Sequence, residues 1–178
     1  MYIDQQTDEE VVENLLKTGE DRYFEILVDR YKDKIFNFTL RYLSQKEDSE
    51  DIVEDIFVKV YFKIDKFNKA KGSFKTWIYR IAKNTIYNKL KERKIKKISY
   101  IDLYTDDKDV EKKYENDEII QNAINKLKKE YKMVILLYYS KGLKYKEISE
   151  ILNIPQNTIK TRLRRAKEIL KNELKDYF

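Results

Sequence analysis

The apolar pattern of the last thirty-odd residues constrains the fold most, because it describes two short helices separated by a tight turn. Three apolar residues at helical spacing predict the first helix: Ile148, Ile151 and Leu152. Asn153 and Pro155 end it, since proline cannot continue the backbone hydrogen-bond ladder and disfavours helical geometry at the residue before it. A second helix is predicted to restart at Asn157 or Thr158. Its apolar residues recur at spacings of four, three and four: Ile159, Leu163, Ala166 and Leu170.

The opposite face of the second helix is polar and basic. It carries Asn157, Lys160, Thr161, Arg164 and Arg165. Two short helices, a tight turn and a basic second helix are typical of a helix-turn-helix, which lays its second helix in the DNA major groove. Asn, Thr and Arg are side chains that read base edges. The alternative is a pair of core helices whose basic residues are simply solvated.

Composition favours an all-helical protein and excludes several kinds of chemistry. The chain has only three Gly and one Pro among 178 residues, and it is rich in Lys, Glu, Leu and Ile. Cysteine and histidine are both absent, which excludes disulfides, thiolate nucleophiles, the usual zinc ligand sets and imidazole acid-base catalysis. We therefore expect no metal, no cofactor and no catalytic residues.

The sequence also predicts a cytoplasmic location. The first residues have neither a basic start nor an apolar segment, so we expect no signal peptide. No apolar run approaches the roughly 20 residues of a membrane span, so we expect no membrane insertion.

Charge is sorted along the chain rather than spread evenly. Residues 1–60 carry a net charge of −8, residues 61–98 a net +11, residues 99–118 a net −5 and residues 119–178 a net +8. Two separate basic blocks predict two contacts with nucleic acid, and the acidic surface is left for another partner.

Helical periodicity and capping signals divide the chain into two helical domains. Thr7 with Glu10 predicts a capping box at the start of a helix that ends before Gly19. Ser44 with Glu47 predicts a second capping box, and Ser73 is predicted to cap a further helix. The predicted helices cover about 8–17, 21–43, 45–64, 74–94, 117–127 and 129–141, followed by the helix-turn-helix. The predicted domains are therefore 1–94 and 117–178, joined by a flexible linker, 95–116.

Three segments in this order resemble the extracytoplasmic-function (ECF) sigma factors of bacterial RNA polymerase. The first is the acidic segment 49–61, SEDIVEDIFVKVY; the second is 74–84, FKTWIYRIAKN; the third is the helix-turn-helix preceded by 127–142. Glu54 departs from the family, which more often has Gln there. The resemblance implies a four-helix sigma region 2, a helix-turn-helix region 4, no enzymatic activity, and three partners: the clamp and flap of core RNA polymerase, promoter DNA and an anti-sigma factor.

The resemblance also implies the site residues. The polymerase clamp would contact Asp48, Glu50, Asp51, Glu54, Asp55 and Phe57. The −10 element would be captured by Phe67, Asn68, Arg80, Lys83, Asn84, Asn88 and Lys91, with Asn84 reading an unstacked base through its donor and acceptor groups and Phe67 stacking on it. The −35 element would meet Tyr145, Asn157, Thr158, Lys160, Thr161, Arg164 and Arg165. Phe74 and Trp77 are expected in the core.

The length of the linker agrees with this interpretation. The two promoter elements of the family lie about two helical turns apart, roughly 70 Å at about 35 Å per turn. Twenty-two linker residues extend to about 75 Å at most.

Two other functions are considered. The first is a stand-alone helix-turn-helix regulator whose N-terminal domain senses a signal or dimerises, which predicts tight binding to duplex DNA without polymerase. The second is a nucleic-acid enzyme such as a nuclease, which the sequence does not favour because its Asp and Glu clusters show no metal or Lys-base motif at a convincing spacing.

Overall fold

Eight helices make up most of the part of the chain that the structure, a computed structural model, describes: residues 6–99, 115–175 and 177. They are α1 (Asp8–Thr18), α2 (Asp21–Leu43), α3 (Lys46–Lys63), α4 (Phe74–Ser99), α5 (Glu115–Lys126), α6 (Lys129–Ile135), α7 (Tyr145–Leu152) and α8 (Gln156–Leu174). No strand occurs within these described ranges. The predicted all-α class and the two helical units are confirmed.

Helices α1 to α4 form the N-terminal bundle. The apolar residues of α2 and α3 recur at helical spacing and face its core, which contains Leu27, Ile35, Phe38, Ile52, Ile56 and Val60. Edge-on aromatic contacts tie the helices together: Tyr31 lies 5.4 Å from Phe74, and Phe38 lies 5.3 Å from Tyr79, between ring centroids. Phe74 is fully buried and Trp77 is half-buried, so the expectation that both belong to the core is confirmed.

The N-terminus of α4 is capped from two directions. Ser73 accepts a hydrogen bond from the backbone N–H of Thr76, as predicted. Glu9 of α1 accepts a second from the backbone N–H of Phe74, with a donor–acceptor distance of 2.8 Å. This second cap joins α1 to α4 across 65 residues of sequence.

One of the predicted capping boxes is correct and the other is wrong. Thr7 and Glu10 form a reciprocal box at α1, and Gly19 ends that helix in the left-handed conformation. Ser44 does not cap α3. It ends α2 with φ 61°, and its hydroxyl donates to the side-chain oxygen of Asn125. Gln45 takes the N-cap position of α3 instead.

The connection between the bundles begins and ends differently from the prediction. Helix α4 continues to Ser99, five residues beyond the predicted end, and α5 begins at Glu115, two residues before its predicted start. The rest of the predicted linker, 100–114, lies outside the described residues.

Helices α5 to α8 form the C-terminal bundle. A single π-helical turn, Leu136–Ser140, follows α6. The turn between α7 and α8 is fixed by Asn153 in the left-handed conformation, φ 54°, and by the Ser149 hydroxyl, which donates to the Ile154 carbonyl at 2.6 Å. Helix α8 begins at Gln156, and its predicted apolar residues Ile159, Leu163 and Ala166 are buried. The predicted helix-turn-helix geometry is confirmed.

The two bundles touch. Helix α4 packs against α7, and α2 packs against the π-turn, so that the buried apolar residues of both bundles form one continuous cluster. Among the described residues, none of the helices combines the length and the apolar character that crossing a membrane requires.

Candidate polymerase and nucleic-acid interfaces

One face of α3 is acidic and solvent-exposed. Four of the six residues assigned to polymerase are exposed there: Glu50, Asp51, Glu54 and Asp55. Asp48 is half-buried. A concentration of carboxylates on one helix face attracts a basic partner surface and steers its approach.

Phe57 does not lie on that face. Its side chain is 9 % exposed and packs in the core of the N-terminal bundle. It therefore stabilises the packing of α3 against the bundle. The apolar side chains that α3 presents to solvent lie further along the helix: Val58 is 56 % exposed and Phe62 is 75 % exposed. These two residues were not predicted from the sequence, although Asp51, Asp55, Val58 and Phe62 follow helical spacing and share one face.

Helix α4 displays the polar stripe predicted for the −10 element. Arg80, Asn84, Asn88 and Lys91 are all exposed, at spacings of four, four and three residues. Lys83 is half-buried, and its ammonium group donates to the Asn84 side-chain oxygen at 2.8 Å. The Asn84 side chain is exposed, and this bond uses its oxygen, so its NH₂ group is still available as a donor.

The electrostatics of Lys83 depend on its surroundings. Burial and then the charge of Arg80 lower the pKa of its ammonium group. The same group lies 5.7 Å from the centre of the Tyr87 ring, within the range of a cation–π contact. Lys83 is therefore positioned by Asn84 and Tyr87 rather than projecting freely into solvent.

The loop before α4 brings Phe67 and Asn68 into place. Phe67 is half-buried, and its ring lies 5.7 Å from both Phe74 and Trp77. The Asn68 side chain accepts a hydrogen bond from the backbone of Ala70 and so begins a short 3₁₀ turn. Gly72 ends this loop with φ 150°, a conformation that side-chain-bearing residues rarely adopt. Phe67 thus joins the loop to the aromatic residues at the start of α4.

Helix α8 presents its predicted basic face to solvent. Asn157, Lys160, Thr161, Arg164 and Arg165 are exposed. Arg164 pairs with Glu168 at 2.8 Å, and a hydrogen bond from Arg165 to Tyr131 raises the pKa of its guanidinium group. Both arginines are therefore oriented by neighbours before any DNA is bound.

The remaining two predicted contacts flank this face. Thr158 is half-buried in the first turn of α8. Tyr145 opens α7 and stacks on Tyr138, with ring centroids 5.2 Å apart and planes 26° apart. The phenol of Tyr145 is therefore placed by an aromatic neighbour from the π-turn.

The C-terminal bundle also contains an apolar cleft that the sequence analysis did not predict. Its volume is about 530 Å³, and its walls come from α5, α6 with the π-turn, and α8. Apolar side chains dominate these walls: Ile120, Ile124, Ile135, Leu136, Leu170 and Leu174. Arg41 and Lys167 bring positive charge to the lining. Such a cleft fits the apolar face of a partner helix that also carries acidic residues.

Two protein families match the chain in the order of its two bundles. Sigma-70 region 2 matches residues 27–95, and sigma-70 region 4 matches residues 117–170. The ECF RNA polymerase sigma factor SigW of Bacillus subtilis is 36% identical over 178 residues, covering 90% of this chain and 94% of the relative. The ECF RNA polymerase sigma-E factor of Haemophilus influenzae is 31% identical over 186 residues, covering 96% of this chain and 97% of the relative.

Solved structures show the same fold. The sigma factor RpoE of Bartonella quintana, in complex with the anti-sigma factor NepR, has a TM-score of 0.73 at 22% identity, covering 87% of this chain and 98% of its own. CnrH, in complex with the cytosolic domain of CnrY, has a TM-score of 0.72 at 18% identity, covering 97% of this chain and 100% of its own.

The chain belongs to the ECF family of RNA polymerase sigma factors. Its predicted function as a factor that directs transcription initiation at promoters is confirmed, as is the prediction that its partners are RNA polymerase and promoter DNA.

Proposed function

We propose that the two bundles divide promoter recognition between them, with α4 capturing the −10 element and α8 reading the −35 element. The observation that carries this proposal is the simultaneous exposure of two polar stripes, Arg80–Lys91 on α4 and Asn157–Arg165 on α8. Phosphate contacts from lysines and arginines supply affinity, and the Asn, Thr and Arg side chains supply sequence information.

At the −10 element, the NH₂ group of Asn84 donates to an acceptor on a flipped base. The half-buried ring of Phe67 stacks on that base. Trapping an unstacked base shifts the duplex equilibrium toward the open form, so strand separation needs no catalytic residue.

At the polymerase, the acidic face of α3 approaches a basic surface of the clamp. Val58 and Phe62 extend that contact with exposed apolar area, and burying a side chain of this size stabilises a contact by about 1.5–3 kcal/mol. The apolar cleft of the C-terminal bundle holds the flap. An anti-sigma factor is proposed as the regulator, a role that the RpoE–NepR complex illustrates for another member of the fold.

Run-off transcription with purified core RNA polymerase tests the proposal. A library of promoter fragments is transcribed with core enzyme alone and with core enzyme plus this protein. We expect transcripts from a small set of promoters that share a −35 and a −10 sequence, and only when the protein is present.

The same assay separates this function from a stand-alone regulator. A regulator binds its duplex operator tightly without polymerase, whereas a sigma factor of this kind binds weakly alone and gains specificity with core enzyme. Nanomolar binding of the isolated protein to a duplex fragment, with no effect of core enzyme on transcription, would contradict the proposal.

A further inference from the structure

We propose that Lys69 binds a backbone phosphate of the captured −10 strand, and that Glu13 of α1 holds this lysine until the strand arrives. In the structure the Lys69 ammonium group pairs with a carboxylate oxygen of Glu13. Binding of the strand exchanges that carboxylate for a phosphate. The inference rests on the proposed capture of the −10 element, to which it adds a contact and a competitor for that contact.

Lys69 lies in the loop that carries two of the proposed −10 contacts. It directly follows Asn68 and begins the 3₁₀ turn Lys69–Lys71. The Asn68 side chain accepts a hydrogen bond from the backbone N–H of Ala70 at 2.9 Å, and the Asn68 carbonyl accepts one from the backbone N–H of Lys71 at 2.9 Å. Because these bonds fix the backbone of the turn, Lys69 changes partners by moving its side chain alone.

A pocket that captures a base calls for a phosphate-binding lysine beside it. Proteins that bind single strands combine aromatic side chains, on which bases stack, with positive charge that follows the backbone. Phe67 supplies the aromatic ring of the proposed pocket, two residues before Lys69. A base stacked on Phe67 brings the phosphates on either side of its nucleotide to the edge of this loop, where the exposed Lys69 lies.

Helix α1 brings carboxylates close to the Lys69 ammonium group. A hydrogen bond to Glu13 and the charge of that carboxylate raise the pKa of Lys69, and the charges of Glu10 and Glu9 act in the same direction. Glu9 and Glu10 also take part in capping α4 and α1. Glu13 is the carboxylate that forms the direct ion pair with the lysine.

Helix α1 presents Glu13 from a fixed position. Asp8, in the first turn of α1, accepts hydrogen bonds from Arg30 at 2.9 Å and from the Tyr31 hydroxyl at 2.5 Å. These bonds join α1 to α2. The Glu13 carboxylate therefore stays beside the loop when Lys69 leaves it, and it continues to attract the lysine in competition with the phosphate.

The ion pair is weak enough to be exchanged. The side chains of Lys69 and Glu13 are 65% and 51% exposed, so water and salt screen their attraction. Exposed pairs of this kind contribute little. A phosphate competes well with such a carboxylate, because a lysine that neutralises it also releases counterions from the strand.

A purely structural ion pair makes the opposite prediction. If the pair holds the loop in the shape that captures the base, its loss weakens binding of the −10 strand. If Glu13 competes with the strand, removal of its charge strengthens binding, because Lys69 no longer has to leave a partner. The sign of the effect of Glu13→Gln therefore separates positioning from competition.

Fluorescence anisotropy on the reconstituted holoenzyme measures the exchange. The probe is a labelled single-stranded oligonucleotide with the non-template −10 sequence of a promoter chosen by run-off transcription, and a scrambled oligonucleotide tests specificity. Lys69→Gln, Glu13→Gln and the double variant are each measured at several salt concentrations. Lys17→Gln and Glu25→Gln, at exposed positions of α1 and α2, are the matched controls. Thermal melting shows whether each variant is folded.

The exchange predicts coupled effects of the two substitutions. Lys69→Gln weakens binding and makes the slope of log affinity against log salt shallower by about 0.7, the value for one phosphate contact on a single strand. Glu13→Gln tightens binding about two- to fivefold, because an exposed ion pair no longer has to be broken. In the Lys69→Gln background the same substitution gains less, since no ion pair is left to break. Both control variants bind like wild type.

Three results would overturn the exchange: weaker binding by Glu13→Gln, an unchanged salt dependence in Lys69→Gln, or an equal gain from Glu13→Gln in both backgrounds. Each of them leaves the −10 specificity of the wild-type holoenzyme intact, so the proposed function survives. If the wild-type holoenzyme does not distinguish the −10 oligonucleotide from the scrambled one, the proposed capture of the −10 strand fails, and the exchange fails with it.

Discussion

At the scale of single residues, Asn84 and the two arginines proposed to contact DNA are already held by neighbouring side chains. Lys83 fixes the direction of the Asn84 amide, Glu168 holds Arg164, and Tyr131 holds Arg165. Such pre-orientation lowers the entropic cost of binding, because fewer rotamers are lost when the contact forms.

Asn84→Ala removes the amide donor of the predicted −10 site. We expect loss of promoter opening with polymerase binding retained, because α4 and the acidic face of α3 are unchanged. Permanganate footprinting measures opening, and native gel shift measures holoenzyme formation. Asn122→Ala, at an exposed asparagine of α5, is the matched control. Normal opening by Asn84→Ala would exclude this residue from base capture.

The double substitution Arg164→Ala with Arg165→Ala tests the −35 assignment. A bidentate arginine–base contact contributes about 1–3 kcal/mol of discrimination. We expect a loss of −35-dependent transcription of at least about tenfold, measured on promoters with intact and scrambled −35 elements. Lys128→Ala with Lys129→Ala removes the same charge from exposed positions before and within α6. Equal effects of the two pairs would indicate general electrostatics instead of base reading.

At the scale of the elements, α3 combines two kinds of contact surface. Its exposed carboxylates act at long range on encounter, and its exposed apolar residues act only on contact. The two effects separate kinetically, because surface charge chiefly changes the association rate while buried apolar anchors chiefly change the dissociation rate.

Phe62→Ala and Asp55→Asn are expected to weaken polymerase binding by different routes. Phe62→Ala speeds dissociation with little change in salt dependence. Asp55→Asn slows association and flattens the salt dependence. Surface plasmon resonance with immobilised core polymerase at several salt concentrations measures both rates. Leu16→Ala, at another exposed apolar residue, is the control for apolar area. Unchanged rates for both variants would exclude this face of α3.

Glu9→Ala tests the cap that joins α1 to α4. The substitution leaves the Phe74 N–H without its acceptor, and loss of a cap costs about 1 kcal/mol. We expect a lower melting temperature by calorimetry. Glu13→Ala breaks only the exposed ion pair with Lys69, which contributes little. Equal melting temperatures for wild type and Glu9→Ala would show that the cap does not contribute to stability.

The elements were predictable where local chemistry decides them. The capping box at Thr7, the helix end at Gly19 and the buried apolar faces of α2 and α3 follow from residue spacing and capping alone. Ser44 was assigned to the wrong helix because the same residue fits the start of one helix and the end of another. In the structure Ser44 ends α2, and its hydroxyl donates to Asn125, a contact 81 residues away that local sequence does not show.

The candidate site was predictable in its exposed polar residues and less so elsewhere. Asn84, Arg164 and the carboxylates of α3 stand at positions where helical spacing alone places them outside the core. Phe57 was assigned to the polymerase interface by resemblance, but helical spacing predicts it on the buried side of α3, and the structure confirms that position. The apolar cleft and the contact between the two bundles combine residues from distant segments, so no local sequence pattern predicts them.

At the scale of the whole molecule, positive charge is concentrated at the contact between the bundles. Lys34, Arg41 and Lys75 face Lys141, and burial raises the cost of keeping Lys141 charged. Lys132, whose pKa burial lowers to about 8, lies beside the α2 side of the same contact. The packing of the two bundles is therefore opposed by a local electrostatic cost.

The stability of the fold should gain from Lys141 as pH rises. The pKa of Lys141 is lowered in the folded chain to about 8 and returns to its ordinary value on unfolding. Below both values each state is charged and the cost of burial is complete; between them only the folded state releases its proton, so folding gains stability. Thermal melting at pH 7 and pH 9.5 measures this contribution.

Lys141→Met supplies the control for this pH dependence. Removal of the ammonium group should make the melting temperature rise less, or fall more, between pH 7 and pH 9.5 than in wild type, with a remaining contribution from Lys132. An identical pH response in wild type and Lys141→Met would show that the titration of this lysine does not contribute to stability.

The central claim is that two exposed helical stripes on separate bundles serve one promoter, while α3 holds the polymerase. Run-off transcription by core RNA polymerase on one promoter, with the −10 and −35 elements scrambled in turn, measures it most directly. We expect transcription that requires this protein and both elements, with Asn84→Ala defective at opening and the Arg164–Arg165 double variant insensitive to the −35 sequence. Failure of the protein to associate with core polymerase, or transcription indifferent to both elements, would contradict it.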